Sequence, residues 1–274
     1  MRLAIRFVLA CLPLWAAAAH AACSHPMRVG WADFPPYMQA GPDGAPIGLD
    51  ADLLRAIFKR AGCTLEFFPD MPSKRQTAYL QDGQLDMQFD ASDVKERHGY
   101  AWYSLPYRRE TISLFARKGE AHRFPIRRFN EVAGRGWQIL VPYNGWFGQA
   151  YEDTLPGLRE SKLAYPYVSQ AQGVEMLYHR RADLLVGDYY SLRYEAKSAG
   201  LPEPDTLPVP VNDNAVHLIF SKRTVVHEDV AAIDAAIRKL EAEGELRRIA
   251  ERYISASRGQ GGKWGSAGFP PARE

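Results

Sequence analysis

The chain lacks an excess of charge, a long apolar segment beyond its first residues, and the common motifs of hydrolytic catalysis. No run after residue 21 is long enough for a membrane helix, which needs about 20 apolar residues. The chain has no HExxH motif, no nucleophile elbow and no recognisable pair of catalytic carboxylates, and its seven histidines lack metal-ligand spacing. We therefore expect no catalytic residue, no metal and no cofactor.

The first residues predict export. Arg2 and Arg6 precede an apolar stretch, and the AHA of residues 19–21 fits a small-x-small cleavage site. We expect a signal peptide over residues 1–21 and a soluble periplasmic product. Without those two arginines, 34 − 2 = 32 Lys and Arg face 32 Asp and Glu. The balance indicates neither nucleic acid nor an anionic membrane as a partner.

Cysteine is scarce, and its positions predict one disulfide. Cys23 and Cys63 remain after the signal, in an oxidising compartment. Each precedes a strand-like run, at residues 27–31 and 65–68. If those strands are parallel neighbours, both cysteines lie at one end of the sheet, where a structural disulfide can form. No histidine-bearing motif accompanies either one, which argues against a catalytic cysteine.

Strand and helix signals alternate along the chain, which predicts an α/β fold. A helix with Asp50 as its N-cap is followed by strand-like runs, and a second unit of the same kind starts near residue 118. Residues 111–119 and 216–223 have similar character and predict two strands that cross between lobes, with a hinge near Lys118 and Phe220. We expect two lobes and a tail, with these bounds: lobe 1 at 22–117 and 217–257, lobe 2 at 118–216, and a disordered tail at 258–274.

Polar residues stand where predicted strands end, and ligands of such folds bind beyond the carboxyl ends of the strands. Ser92 and Arg97 follow the run at 85–89. Asp93 and Glu96 have the spacing of a capping box, so a helix starting there would point its amides at an anion that Arg97 could also bind. The alternative is a solvated turn with an exposed arginine.

Further candidates lie at other strand ends. Asp188 could receive an ammonium group or simply cap the next helix. Trp31 and Phe34 in the first lobe, and Trp146 after a strand of the second, could form an apolar wall around a ligand. Core packing and turn chemistry are their alternatives.

Together these segments resemble the family-3 extracellular solute-binding proteins of bacterial amino-acid importers. The resemblance spans about residues 27–253 and rests on MRVGWADFPPY, GLDADLLRAIFKRAG, LQDGQLDMQFDASDVKERHGYAWYSLPY and RADLLVGD. It implies a two-lobed periplasmic-binding-protein fold of type II, the Venus-flytrap architecture with two crossover hinge strands. It also implies a monomer that closes on a small ligand, an amino acid or similar compound, and docks to an ABC permease or a sensor.

The resemblance also implies roles for particular residues. Arg97 would bind the ligand α-carboxylate, Ser92 would add a hydroxyl, Asp188 would receive the α-amino group, and Phe34 would pack against the ligand. These four positions stand in the order that the family shows.

Departures from the family pattern leave the ligand side chain open. Asp90 stands where Gly or Ser is usual, and Trp31 stands where an acidic residue sometimes occurs. The segment MPSKRQ leaves Arg75 either as an extra cation near the cleft or as a helix-surface residue. We include all three, with Trp146, in the predicted ligand site.

Two other functions remain as alternatives. The first is a periplasmic enzyme on the same scaffold, such as a cyclohexadienyl dehydratase acting on a prephenate-like acid. Its general acid or base would have to come from Asp90, Lys95 or His98. The second is a sensory module that feeds a chemoreceptor or kinase. We expect a binding protein and not an enzyme.

Overall fold

The structure is a computed structural model that describes residues 23–69 and 71–257, with side chains through residue 253. The predicted signal peptide and disordered tail lie outside the described residues. Among those described, no helix combines the length and the apolar character needed to cross a membrane.

Most strands of the described residues join one mixed sheet. The strands are β1 (Met27–Gly30), β2 (Gln39–Ala40), β3 (Pro46–Ile47), β4 (Leu65–Phe68), β5 (Met87–Ser92), β6 (Ala101–Ala116), β7 (Ile139–Pro142), β8 (Ala164–Tyr167), β9 (Leu184–Asp188) and β10 (Asp205–Ser221). The eight-stranded sheet has the order β4-β1-β5-β10-β6-β9-β7-β8, and β2 pairs with β3 separately.

Helices flank the sheet. They are α1 (Leu49–Ala61), α2 (Ser73–Asp82), α3 (Gln149–Glu160), α4 (Gln170–Tyr178), α5 (Tyr189–Ser198), α6 (His227–Ala242) and α7 (Glu245–Ser257). Gly244, at a φ of 69°, separates the last two. A left-handed residue ends a helix at little steric cost only when it is glycine.

The sheet divides into two lobes that share two long central strands. At one end β1 pairs in parallel with β4 and β5, and at the other β7 pairs in parallel with β8 and β9. Separate apolar cores lie in the two parts, the first around Leu53, Ile57 and Val29, the second around Ile139 and Leu184. This arrangement is the predicted two-lobed α/β fold.

Both central strands are longer than the sequence indicates. β6 starts at Ala101 and β10 at Asp205, whereas the predicted strands start at residues 111 and 216. Pro106 explains the difference for β6, since a proline weakens a strand prediction. In the structure Pro106 lies opposite His217, next to a register shift, so its missing N–H interrupts a ladder that is already irregular.

The lobes meet within these strands. Ile112 of β6 pairs with Asp188 of β9, and Val216 of β10 pairs with Ser92 of β5. The crossing therefore lies at residues 108–112 and 212–216. The expected hinge positions fall outside this crossing. Lys118 lies beyond the end of β6, and Phe220 lies inside the first lobe. The sequence-based lobe boundaries remain a prediction.

The predicted disulfide is present between Cys23 and Cys63, whose Cα atoms are 5.2 Å apart. Met27 pairs with Leu65 in the parallel β1–β4 ladder, so the two cysteines precede neighbouring strands at one sheet end. The parallel pairing on which the prediction depended is confirmed.

Two predicted helix caps are wrong. Gly48, at a φ of 122°, stands at the N-cap of α1, where a Cβ would lie 2.5 Å from the Tyr37 carbonyl oxygen. Asp50 is instead a buried residue of the first turn. Asp93 caps no helix either, because Val94 precedes a short 3-10 turn at Lys95–Gly99 and the Asp93 carboxylate pairs with His98.

Candidate functional site

A buried polar cluster lies where the lobes meet. Strand ends bring Asp90 and Asp188 to the crossing from opposite sides, and β6 supplies Arg108 and Glu110 between them. We call the following six residues the interlobe cluster: Tyr37, Asp50, Asp90, Arg108, Glu110 and Asp188. Burying so many polar groups is costly unless they satisfy one another or a ligand.

Arg108 is the centre of this cluster and is only 3 % exposed. Its Nε and Nη2 donate to the two carboxylate oxygens of Asp50 at 2.7 and 2.9 Å, which is a bidentate pair. Nη2 also donates to Asp90 Oδ1 at 2.5 Å, and Nη1 donates to the Arg109 carbonyl at 3.2 Å. All three nitrogens of the guanidinium are therefore engaged in hydrogen bonds to other residues of the fold.

Two tyrosines, Tyr37 and Tyr107, contact Arg108 or its carboxylate partners. Its Cζ lies 4.4 Å from the centre of the Tyr37 ring, within the range of a cation–π contact. The Tyr107 hydroxyl donates to Asp50 Oδ1 at 2.9 Å and accepts from the Asp90 amide at 3.2 Å. The cluster is thus tied to α1, β5 and the loop before β2.

Direct hydrogen bonds join the two lobes at this point. The Tyr37 hydroxyl, from the first core, donates to Asp188 Oδ2 at 3.0 Å. Ser191, at the start of α5, donates its hydroxyl hydrogen to the Pro35 carbonyl at 2.6 Å. Any separation of the lobes here would break both bonds.

Asp90 has a backbone conformation that most residues avoid. Its φ is 57°, in the left-handed region where Gly, Asn and Asp are the most tolerated residues. The family pattern described above often has glycine here. The left-handed turn directs the Asp90 side chain to Arg108 while its amide reaches Tyr107.

Burial makes three carboxyl groups of the cluster, those of Asp90, Asp188 and Glu110, hard to ionise. It raises the pKa of Asp90 to about 7, against the attraction of Arg108, and the nearby charges of Asp50 and Asp188 raise it further. Burial likewise raises the pKa of Asp188 to about 6, although the Ser191 amide and Arg108 favour its charged form.

Glu110 shows the same effect more strongly. Burial raises its pKa well above the ordinary range, and the charges of Asp90 and Asp188 add to the shift. Groups of this kind concentrate at functional sites. Asp90 and Asp188 therefore exchange protons near neutral pH.

The predicted anion-binding residues lie beside the cluster. The Ser92 hydroxyl is buried and accepts from Asn214 Nδ2 at 3.2 Å. Arg97 is half-buried, and its Nη1 donates to the Ser92 carbonyl at 3.1 Å. That bond is the single hydrogen bond of its side chain within the described part of the chain, so most of its N–H groups remain available.

The structure confirms one of the two roles considered for Asp188, the helix cap, and adds a contact between the lobes. Its Oδ1 accepts from the amides of Tyr190 and Ser191 at 3.0 and 2.7 Å, which caps α5. Its Oδ2 faces the first lobe through Tyr37. The cap and the interlobe contact use different oxygens, so the two roles are compatible.

The predicted aromatic wall is only partly assembled around the cluster. Phe34 is half-buried and stacks on Tyr37, with ring centres 5.3 Å apart. Trp31 is 4 % exposed in the first core, and its Nε1 has no hydrogen-bond partner in the described structure. Trp146 is half-buried in the loop after β7, and Arg75 is exposed on α2.

A cavity of about 430 Å³ lies next to Phe34 between the lobes. Residues 33–35, 39 and 40 line it from the first lobe, and residues 168–171 with Glu195 line it from the second. Burial raises the pKa of Glu195, and the charge of Asp33 raises it further. The cavity has the volume of a small-molecule site.

Sequence reasoning missed Arg108, Glu110 and Asp50 as buried charges. A signal existed for each. Arg108 and Glu110 have the same parity as the buried Ile112 of their strand, so they share its inward face. Asp50 precedes Leu53 and Ile57 at helical spacing and thus lies on the apolar face of α1. A charge on a buried face indicates a partner elsewhere in the chain.

Two lobes joined by two strands, with polar strand ends facing each other across the crossing, define the two-domain periplasmic-binding-protein fold. The family model of bacterial extracellular solute-binding proteins, family 3, matches residues 27–256. The chain belongs to that family.

Solved structures share the fold. A histidine kinase sensor domain similar to periplasmic binding proteins is 19 % identical with a TM-score of 0.69, covering 84 % of this chain and 96 % of its own. An arginine-, lysine-, histidine-binding protein from Geobacillus stearothermophilus is 22 % identical with a TM-score of 0.67, covering 84 % and 95 %. The substrate-binding protein of an amino-acid ABC transporter is 20 % identical with a TM-score of 0.63, covering 84 % and 99 %. A comparison with curated protein sequences found no match.

Proposed function

We propose that this protein is a periplasmic solute-binding protein that captures an amino acid or related polar compound and delivers it to an ABC permease. The observation that carries the proposal is the pair of hydrogen bonds that join the lobes, from Tyr37 to Asp188 and from Ser191 to Pro35. They lie next to polar groups from both lobes, and β6 and β10, which connect the lobes, would form the hinge. A ligand that contacts both lobes favours closure through its differential affinity for the closed form.

The predicted residues have geometries that suit these roles. The free N–H groups of Arg97 can bind a ligand carboxylate as a fork, next to the Ser92 hydroxyl. Asp188 can accept from an ammonium group with the lone pairs left by Tyr37 and the α5 amides. Phe34 borders the interlobe cavity and can cover an apolar part of the ligand.

Thermal unfolding of residues 22–274 tests the proposal. We expect one class within a panel of L-amino acids, dicarboxylates, polyamines and prephenate-like acids to raise the Tm. A hundredfold excess over the Kd adds about 2.7 kcal/mol to the free energy of unfolding. A panel without any shift would contradict capture of such ligands, and turnover of a prephenate-like acid would replace binding by catalysis.

A sensory role is a second candidate, favoured by the similarity to a histidine kinase sensor domain. Both roles need the same ligand-bound closed form, and they differ in the partner protein that recognises this form. Uptake of labelled ligand by cells with and without this chain separates the two roles. Transport predicts that uptake falls when the chain is deleted, whereas sensing predicts unchanged uptake and a lost transcriptional or motility response.

A further inference from the structure

Glu110 of β6 is a buried residue with an ionisable side chain. The residue is 8 % exposed, and among the described residues no hydrogen bond or ion pair engages its side chain. Its neighbours in the same strand face are Arg108 and Ile112. Its carboxylate oxygens are not among the fully buried side-chain atoms that lack a hydrogen-bond partner, so they are open to an approaching group. A carboxyl group that burial makes hard to ionise and that no donor compensates calls for an explanation in the protein's function.

Arg108 does not supply the missing partner. Its Nε and Nη2 serve Asp50, Nη2 also serves Asp90, and Nη1 serves the Arg109 carbonyl. The interlobe cluster thus contains four carboxyl groups and one guanidinium group. The electrostatic balance of the cluster favours one more positive charge, at the position where Glu110 lacks a donor.

We propose that Glu110, with Asp90 beside it, receives a cationic group of the ligand and makes this protein selective for cationic compounds. The cation would be an ammonium or a guanidinium group. This inference rests on the function proposed above and specifies its substrate class. Asp90 contributes through the oxygen that Arg108 leaves free, since only Oδ1 receives the guanidinium.

Binding of a cation at this position should release protons. Burial and neighbouring carboxylates raise the pKa of Glu110, and those of Asp90 and Asp188 lie at about 7 and about 6. A cation stabilises the charged carboxylates and displaces their protons. Affinity should therefore increase as the pH rises through 6 and 7. The charged and titratable groups that interact with Glu110 come from the loop before β2 and from four elements: Tyr37, Asp50 of α1, Asp90 of β5, Arg108 of β6 and Asp188 of β9.

Calorimetric titration of the full mature chain tests the proposal. L-arginine is compared with L-citrulline, which has nearly the same shape and no charge, and putrescine serves as a cation without a carboxylate. We expect at least one of the cations to bind about tenfold or more tightly than L-citrulline. Titration in two buffers of different ionisation enthalpy should show proton release at pH 6.5.

Glu110→Gln removes the charge with little change in shape, and the preference for the cation over L-citrulline should fall to about twofold or less. Asp213→Asn is the matched control, because Asp213 lies on the neighbouring strand with 40 % of its side chain exposed and pairs with Arg109. It should leave the preference unchanged.

The outcomes separate this inference from the proposed function. Binding of a neutral or anionic compound, with no cation bound, would overturn the inference and leave the solute-binding function intact. Cation preference that persists in a folded Glu110→Gln variant would overturn the role of Glu110. Proton release by the wild type gives a second readout if that variant does not fold, and its absence would overturn the inference. Failure of every compound to bind would overturn both.

Discussion

Two arginines on either side of one aromatic run have opposite environments. Arg97 lies in the 3-10 turn after β5, is half-buried, and donates a single hydrogen bond to the Ser92 carbonyl. Arg108 lies inside β6, is 3 % exposed, and is held by the carboxylates of Asp50 and Asp90. Both are near the interlobe crossing, yet only Arg97 has donors left for a ligand.

The comparison shows that a cationic side chain in a cleft need not bind ligand. Arg108 compensates carboxylates that would otherwise be buried and uncompensated, so its role is to maintain the folded site. A buried ion pair adds little net stability over an apolar core, but loss of one partner is costly. Arg97 has no such structural role, so its removal should lower the affinity for ligand more than it lowers stability.

The largest expected effect is that of Arg108→Ala. It leaves the buried carboxylates of Asp50 and Asp90 without their partner, and we expect a loss of roughly 3–5 kcal/mol in the free energy of unfolding. Urea denaturation measures it. Arg109→Ala is the control, because that arginine points to the other face and pairs with the partly exposed Asp213, which is worth less than about 1 kcal/mol. Similar losses in both variants would contradict the assignment of Arg108.

Arg97→Ala should separate binding from folding. We expect ligand affinity to fall about a hundredfold, in line with truncation of one partner of a buried charge pair, while the Tm stays within about 2 °C of the wild type. Lys95→Ala, in the same exposed turn, is the control and should keep full affinity. Calorimetric titration and thermal unfolding give the two readouts, and undiminished affinity in Arg97→Ala would reject the carboxylate role.

The burial of Asp90 predicts a pH dependence of stability. The pKa of Asp90 is raised to about 7 in the folded state, whereas an unfolded Asp titrates near about 4. Between these values the folded state binds a proton that the unfolded state lacks, so the free energy of unfolding decreases as the pH rises. One such carboxyl group contributes at most about 1.4 kcal/mol per pH unit.

Asp90→Asn should therefore reduce the slope of stability against pH between 4.5 and 7, measured by denaturation at several pH values. Asn tolerates the left-handed backbone of this position, where φ is 57°. Asp188 and Glu110 keep a slope of the same sign in the variant. Asp93→Asn is the matched control on an exposed side chain, and an equal change in both variants would refute the raised pKa of Asp90.

The smallest expected effect belongs to a contact between the lobes. Tyr37→Phe removes the hydrogen bond to Asp188 and keeps the ring under Arg108, so ligand affinity should fall about threefold to tenfold. Tyr165→Phe loses a hydroxyl that accepts from Gln138 within the second lobe, and it should bind ligand normally. Titration of both variants measures the difference, and equal affinities would show that the Tyr37 bond does not support closure.

Local patterns were sufficient for much of the fold. Alternating strand and helix signals indicated the α/β lobes, and Cys23 and Cys63 before two strand-like runs indicated the disulfide that the structure contains. Residues at strand ends could be identified as candidates because a sheet places the ends of its parallel strands together. The capping assignments failed for Asp50 and Asp93, whose carboxylates bind side chains and cap no helix amides.

Other features were not readable locally. The full length of β6 was hidden by Pro106, which is tolerated only because the ladder with β10 is irregular at that point. The role of Asp50 was hidden because its partner Arg108 is 58 residues away in the sequence. A helical pattern can place Asp50 on a buried face, but it cannot state which guanidinium lies there.

The sequence by itself determined the two α/β lobes, the disulfide and the family to which the chain belongs, because each is encoded in short patterns of residue type and spacing. Only the tertiary structure decided which charged side chains are paired inside the fold and which keep unpaired hydrogen-bond donors. That distinction depends on burial and on partners brought from α1, β5, β6 and β9 to one place. Arg97 and Arg108 are the same residue type in neighbouring segments, and their difference lies in the carboxylates around them.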